Sequence, residues 1–135
     1  MGYQPIETNG VVTAVSGFQI ILREGKNLGV GTDVHPRTAV GVTRDGRHLL
    51  VAVIDGRQPF YSVGATQIET AEMLKQLGAW NAINLDGGGS TSLAIEGADG
   101  KARLLNSPVH QGVPGRQRPC ASHLGIFARR LEGKR

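Results

Sequence analysis

The strongest constraint on the fold lies at residues 84–92, where the chain runs Asn-Leu-Asp-Gly-Gly-Gly-Ser-Thr-Ser. The apolar segment 80–85 before this run and the alternating segment 92–95 after it both predict strands, so the run is a loop between strands. Successive glycines leave backbone N–H groups open to an oxyanion, and the hydroxyls add donors. A Walker or dinucleotide-binding loop does not fit, because each opens a helix and has another glycine spacing. The alternative is a tight turn that binds no ligand.

The size of the chain supports one domain, since 135 residues can bury one modest core. We predict a single domain at 1–128 and a basic tail at 129–135. The tail contributes +3 of the net charge of +4. With this charge in the tail, few aromatic residues and no basic stripe, the composition disfavours nucleic-acid binding. Glycine makes up 20 of the residues, well above its usual share of about 7%, which predicts a fold rich in turns.

Several other classes of protein are disfavoured by what the sequence lacks. No apolar stretch is long enough to span a bilayer, so we expect no membrane span, and the N-terminus does not resemble a signal peptide. The single cysteine, Cys120, excludes an intrachain disulfide and a cysteine-based zinc site. Ser90 lacks the Gly-x-Ser-x-Gly pattern of a nucleophilic serine. The histidines at 35, 48, 110 and 123 lack a compact spacing for zinc.

The pattern of apolar residues predicts an α+β (mixed α/β) domain with a strand-rich sheet and one principal helix. Residues 66–78 form the helix, which begins at the capping box Thr66-x-x-Glu69 and ends at Gly78. The Asp-Gly pair at residues 45–46 lies between β-rich segments, 39–43 and 48–54, and indicates a hairpin. Further strands are expected at 11–15, 18–22, 103–105 and 122–128.

The order strand, helix, strand at residues 48–54, 66–78 and 80–85 predicts a right-handed β-α-β crossover. The two strands would then be parallel, and neighbours or nearly so, with their carboxyl ends and the helix start along one edge. Ligands of open sheets bind at such an edge, and a helix N-terminus favours anions. The edge would collect three carboxylates and a guanidinium, from Asp55, Arg57, Glu69 and Asp86.

Five motifs in this order resemble those of the phosphodiester glycosidase family. They are Pro-Arg-Thr-Ala-Val-Gly at 36–41, Asp-Gly-Arg-Gln at 55–58, Ser-Val-Gly-Ala-Thr at 62–66 with Glu69, the run from residue 84, and Arg-Pro at 118–119. The chain resembles the C-terminal two thirds of such a domain, because the Asn-rich and Phe-rich strands of the family are not found before Val11. Gln117 stands where many relatives have Glu.

The resemblance implies hydrolysis of a sugar 1-phosphodiester, such as a phosphodiester of N-acetylglucosamine, to free sugar and a phosphomonoester. The leaving phosphate requires charge compensation more than strong acid catalysis. Asp86 and Glu69 are the implied nucleophile or acid/base pair. The alternative for Asp86 is a turn residue whose carboxylate accepts from the N–H groups of its own glycine run, and the alternative for Glu69 is helix capping. Asp55 is a third catalytic candidate, or caps a turn. The implied substrate and phosphate ligands are Arg37, Arg57, Arg118, His35, Asn84, Gly87, Gly88, Gly89, Ser90 and Thr91.

No cofactor is expected to be required, and a divalent cation, Ca²⁺ or Mg²⁺, at Asp55 or Asp86 is left open. The resemblance suggests a secreted or cell-envelope protein. The alternatives are a module that binds phosphosugars or envelope glycans without cleaving them, and a domain that completes its sheet by pairing with another copy. A homo-oligomer would follow from the last of these, because exposed strand edges favour pairing.

Overall fold

A five-stranded sheet with a helix on one face organises the structure, a computed structural model that describes residues 9–128. Within that range the main sheet and its helix are β1 Gln19–Arg23, β2 Lys26–Asn27, β3 Arg37–Thr43, β4 Leu49–Ile54, α1 Gln67–Gln76 and β5 Ala79–Asn84. A 3₁₀ turn, Gly88–Ser90, follows β5. Two small hairpins complete the chain: β6 Ala94–Glu96 with β7 Ala102–Leu104, and β8 Val109–His110 with β9 Val113–Pro114. The predicted α+β class is confirmed.

The strand order β2-β1-β5-β3-β4 explains how the predicted edge forms. Both β4 and β5 are antiparallel to β3, so they are parallel to each other with β3 between them. The β4-α1-β5 crossover therefore skips one strand. Ile54 at the end of β4 pairs with Arg37, and Asn84 at the end of β5 pairs with Ala39. The start of β3 and the ends of β4 and β5 consequently share one edge.

The core lies between the sheet and α1, and small residues dominate its sheet side. Leu74 and Ala71 of the helix are fully buried against the strands. Alanine on the facing strands lets the helix approach closely, and Ile21 and Leu22 of β1 supply the larger apolar volume. The predicted helix is correct within two residues, with Thr66 as N-cap. Within residues 9–128, no helix has both the length and the apolar character needed to cross a membrane.

Two of the predicted strands are wrong. Residues 11–15 and 122–128 have a β-rich composition but no regular structure. Most of their side chains are exposed, including Val12 and Phe127. Strand propensity is expressed only where a neighbouring strand and a buried face are present, and both are absent here. The basic tail at 129–135 lies outside the described residues.

Candidate functional site

The turn after β5 is built so tightly that its glycines are structurally required. An ideal Cβ on Gly87 would lie 2.6 Å from the carbonyl oxygen of Pro36, and one on Gly88 would lie 3.1 Å from an Arg57 guanidinium nitrogen. Gly88 also has a φ of +59°, where glycine costs least. The turn therefore packs directly on the start of β3 and on Arg57.

The prediction that the glycines of this turn offer free N–H groups to an oxyanion is wrong for Gly88, and the N–H groups of the two residues after the glycines are also engaged. The N–H of Gly88 donates to Pro36 O at 3.0 Å, that of Ser90 to Gly87 O at 3.1 Å, and that of Thr91 to Gly88 O at 3.2 Å. Thr91 is also fully buried, with its hydroxyl 3.4 Å from that of Thr38. Binding of an anion near the turn consequently depends on side chains.

Asp86, in the middle of the predicted run, is held by Arg118. Arg118 Nη2 donates to Asp86 Oδ2 at 2.7 Å, and its Nε donates to Ser90 Oγ at 2.9 Å. Partial burial acts to raise the pKa of the Asp86 carboxyl, but the hydrogen bonds of Ser90 and Arg118, the charge of Arg118 and the Gly87 N–H outweigh it, and the pKa is lowered. Asp86 is therefore ionised at neutral pH, so its carboxylate can accept a proton but has none to donate.

Arg37 and Arg57 lie side by side, and neither forms a salt bridge among the described residues. Arg37 is anchored by main-chain carbonyls, through Nε to Ala65 O at 2.8 Å and Nη2 to Asp33 O at 2.7 Å. Burial lowers the pKa of Arg37 most, the neighbouring Arg57 lowers it further, and Asp33 raises it. Two adjacent guanidinium groups that form no salt bridge with the carboxylates of the described residues can attract an anion.

Arg57 is held in an unusual backbone conformation next to a histidine. Its φ is +58°, a region that non-glycine residues seldom adopt. One guanidinium nitrogen, Nη2, lies 3.4 Å from His35 Nδ1. Because strained residues cluster at functional sites, the conformation fits a residue positioned for binding.

These cations line a cleft of about 300 Å³ at the sheet edge. Its volume is at the lower end of the range for small-molecule sites. Two lining residues were not predicted from the sequence. They are Phe18, which immediately precedes β1 and is 77% exposed, and Gln67, the first residue of α1. The predicted site residues in the lining are His35, Arg37, Arg57, Asn84, Gly87, Gly88 and Arg118.

Asn84 lines the same cleft and carries a buried side-chain oxygen that has no hydrogen-bond partner among residues 9–128. Its side chain is at the end of β5 and the residue is only 4% exposed. The amide nitrogen Nδ2 donates to Leu85 O at 2.9 Å, while Oδ1 has no hydrogen-bond partner among the described residues. An unsatisfied buried acceptor costs about 1–3 kcal/mol of stability.

Glu69 forms the capping box of α1. Its Oε2 accepts hydrogen bonds from Thr66 N at 2.8 Å and Thr66 Oγ1 at 2.9 Å, and its own N–H donates back to Thr66 Oγ1 at 3.1 Å. The Thr66 N–H is the main cause of the lowered pKa of Glu69, followed by the Thr66 hydroxyl. Glu69 does not line the cleft. These contacts are those expected if Glu69 caps the helix, the alternative role given above.

Asp55 organises a loop rather than facing the cleft. Its carboxylate accepts from the Ser107 N–H at 3.0 and 3.1 Å, from Asn106 Nδ2 at 2.8 Å and from the Tyr61 hydroxyl at 3.1 Å. Asn106 Nδ2 also donates to Thr91 O at 2.8 Å, so the network links the end of β4 to the glycine turn. Among residues 9–128, no three His, Cys, Asp or Glu side chains are grouped to hold a metal ion.

His110 was also missed by sequence reasoning. An ideal Cβ on Gly89 would lie 3.1 Å from His110 Nδ1 and 3.2 Å from Arg118 Cβ. The β8-β9 hairpin thus packs an imidazole against the turn that carries Asp86. No local pattern links residues 89 and 110, so only the fold shows their contact.

A second cavity of about 330 Å³ lies on the sheet face away from this edge. Its lining is mainly apolar, from Ile20, Val40, Val42 and Ile83, with Arg23 as its charged side chain. The cleft of about 300 Å³ is the better candidate for a functional site. Its lining residues supply three guanidinium groups, the imidazole of His35 and the Asn84 amide, whose oxygen has no partner among the described residues.

Comparison with known proteins agrees with the resemblance of the motifs. The family model described as phosphodiester glycosidase matches residues 1–127. The catalytic domain of zebrafish N-acetylglucosamine-1-phosphodiester alpha-N-acetylglucosaminidase, auto-inhibited by its pro-peptide, is similar with a TM-score of 0.55 and 28% identity, over 70% of this chain and 34% of that one. A putative exported protein of Burkholderia pseudomallei K96243 gives a TM-score of 0.51 and 41% identity, over 62% of this chain and 15% of that one.

A curated relative, the SPbeta prophage-derived protein YomE of Bacillus subtilis (strain 168), is 41% identical over 63 residues, 47% of this chain. The chain spans only 10% of the length of YomE. The match to the family model, in contrast, covers nearly all of the present chain and includes every motif named above. The chain belongs to the phosphodiester glycosidase family.

Proposed function

We propose that this domain hydrolyses a sugar 1-phosphodiester and releases free sugar and a phosphomonoester. The observation that carries the proposal is the pair of guanidinium groups, Arg37 and Arg57, which form no salt bridge within residues 9–128 and line one cleft. The ionised Asp86 is not in the lining itself, but both of its chain neighbours, Leu85 and Gly87, are. The name of the zebrafish relative describes an enzyme that acts on a substrate of this class. The similarity to an exported protein favours a location for this domain outside the cytoplasm or in the cell envelope.

In the proposed reaction the bond between the anomeric carbon and the phosphate oxygen breaks. Either Asp86 attacks the anomeric carbon, or it takes a proton from a water molecule that attacks there, and the phosphomonoester leaves with the electron pair of the broken bond. In the first case a glycosyl ester of Asp86 forms, and a water molecule then hydrolyses this ester to give free sugar and the Asp86 carboxylate. Arg37 and Arg57 compensate the charge that develops on the leaving phosphate. We assign Glu69 to helix capping and Asp55 to loop positioning, because Oε2 of Glu69 and both carboxylate oxygens of Asp55 accept hydrogen bonds there.

Arg118 connects the cleft with the Asp86 carboxylate. It lines the cleft and also holds Asp86, and the side chains of both residues are about half exposed. A guanidinium has five N–H donors, and Arg118 uses two of its nitrogens for Asp86 and Ser90. A substrate phosphate can therefore share or take over Arg118, which would release Asp86 toward the sugar.

The test compares Asp86→Asn with the wild type on a methyl phosphodiester of N-acetylglucosamine 1-phosphate. We expect turnover to fall by about 10²–10⁴-fold, because the base or nucleophile is lost, with little change in melting temperature. Asp99→Asn, which alters an exposed turn carboxylate, is the matched control and should keep full activity. Undiminished turnover in Asp86→Asn would remove this residue from the reaction.

A second candidate function is binding of a phosphosugar or envelope glycan without cleavage. It is favoured by the observation that Asp86 is paired with Arg118 and that Glu69 and Asp55 are engaged in structural hydrogen bonds. Calorimetry with the same phosphodiester, run beside the turnover assay, separates the two functions. Heat of binding without release of free sugar would favour the binding module.

A further inference from the structure

The unpaired oxygen of Asn84 places a requirement on whatever occupies the cleft. The orientation of the amide is fixed, because only Nδ2 can donate to Leu85 O, 2.9 Å away. Oδ1 is then left as an acceptor without a donor among the described residues, in a residue that is 96% buried and lines the cleft. A buried acceptor of this kind requires a partner that donates a hydrogen bond.

Two guanidinium groups of the cleft, those of Arg37 and Arg57, have the opposite requirement. Arg37 and Arg57 can only donate hydrogen bonds, so they need an acceptor-rich, negatively charged group. A bare anion satisfies these guanidinium groups but gives Asn84 no donor. The ligand that satisfies all of them carries an anionic group and an O–H or N–H group in the same small molecule.

The donor and the anion must also be close together. Asn84 is only three residues before Gly87, and both line the cleft, while Gly88 packs against the guanidinium of Arg57. In a sugar 1-phosphate the donor nearest to the phosphate is carried by carbon 2, the ring carbon next to the anomeric carbon. This donor is a hydroxyl or an amide N–H, according to the sugar.

We propose that Asn84 Oδ1 accepts a hydrogen bond from the hydroxyl or amide N–H on carbon 2 of the bound sugar. Asn84 is then the residue that distinguishes sugar phosphates with this donor from those without it. The inference rests on the proposed function in placing a sugar phosphate in the cleft. It does not depend on whether Asp86 cleaves that sugar phosphate.

The first test is a ligand series on the wild-type protein, measured by calorimetry. The ligands are N-acetylglucosamine 1-phosphate, glucose 1-phosphate, 2-deoxyglucose 1-phosphate and inorganic phosphate. We expect the first two to bind roughly 10- to 100-fold more tightly than the 2-deoxy sugar, because the latter leaves the buried oxygen unpaired. Equal affinity for all three sugar phosphates would overturn the inference.

The second test removes the acceptor with Asn84→Leu, whose side chain is larger but has the same branched arrangement of heavy atoms. The variant should bind the three sugar phosphates within about threefold of one another and bind inorganic phosphate like the wild type. Its melting temperature should change little, because removal of the buried unpaired oxygen offsets the loss of the hydrogen bond from Nδ2 to Leu85 O. Asn81→Leu, an exposed change on the same strand, should keep the wild-type preference. An equal loss for every ligand in Asn84→Leu would show a structural role and contradict the inference.

The same data distinguish this inference from the proposed function. If inorganic phosphate does not bind and Arg57→Gln changes nothing, the anion site itself is wrong. If phosphate binds through Arg57 but the sugars are not discriminated, only the role of Asn84 is wrong.

Discussion

After the hydrogen bond of Ser90, Arg118 contributes to the lowered pKa of Asp86 through both a hydrogen bond and a positive charge. We predict that Arg118→Gln raises the pKa of Asp86, since partial burial then acts against fewer compensating groups. The acid limb of the pH profile of kcat/KM should move to higher pH. Arg116→Gln, an exposed neighbouring change, should leave it in place. A profile identical to the wild type in Arg118→Gln would show that another group controls this limb.

The same pair gives a pH dependence of stability with a definite sign. The folded pKa of Asp86 is below its ordinary value, so its favourable contacts are fully present above the unfolded pKa. They are lost as the pH falls through the folded pKa. The contribution is small, because both partners are about half exposed to water.

Asp55 is predicted to matter for stability. In Asp55→Asn, one of the two oxygens that accept from the Ser107 N–H becomes an NH₂ group. We expect the free energy of unfolding in urea to fall by about 1–3 kcal/mol. Asp45→Asn, an exposed hairpin-turn change, is the control and should cost less. A variant of full stability that has lost turnover would instead support a catalytic Asp55.

Some of the residues that line the cleft could be predicted from the sequence, either because their partners are near in the chain or because their charge suits a phosphate ligand. Arg37, Arg57 and Asn84 are examples, and all of them line the cleft. The network of Asp55 with Asn106 and the contact of Gly89 with His110 could not be foreseen. They join residues 51 and 21 positions apart through loops that have no periodic pattern.

At the scale of elements, α1 was well predicted because its signals are local. The capping box, the apolar stripe and the terminal glycine all lie within thirteen residues, 66–78. The parallel relation of β4 and β5 followed from the rule for crossovers. The insertion of β3 between them could not be predicted, since the strand propensities of β3 suit either a central or an edge position.

The capping box provides a test of Glu69 that separates its two candidate roles. Thr66→Ala should lower the free energy of unfolding by about 1 kcal/mol, because the Glu69 N–H loses its acceptor. Glu69→Gln keeps an oxygen that can accept from the Thr66 N–H and should retain nearly all turnover. Both are measured by urea unfolding and by the phosphodiester assay. A stable Glu69→Gln variant with turnover reduced by orders of magnitude would identify Glu69 as the second catalytic carboxylate.

At the scale of the whole molecule, the sheet is covered unequally. The helix covers one face, whereas Ile20, Val42, Leu49 and Val51 are each at least 37% exposed. Among the described residues β4 forms a ladder only with β3, and its six residues Leu49–Ile54 include no charge and no proline. Soluble proteins usually protect such edges with charged residues or proline, so β4 is suited to pairing.

We therefore predict that the chain self-associates through β4, with a second copy pairing antiparallel about a twofold axis. Sedimentation should show a concentration-dependent dimer. Val51→Lys should shift the protein toward monomer, because a lysine in mid-strand opposes pairing by charge and desolvation, and it should cost little stability at this exposed position. Val113→Lys, the same change at an exposed site of β9, should leave the dimer intact. A wild-type protein that sediments as a monomer at all concentrations would refute the pairing.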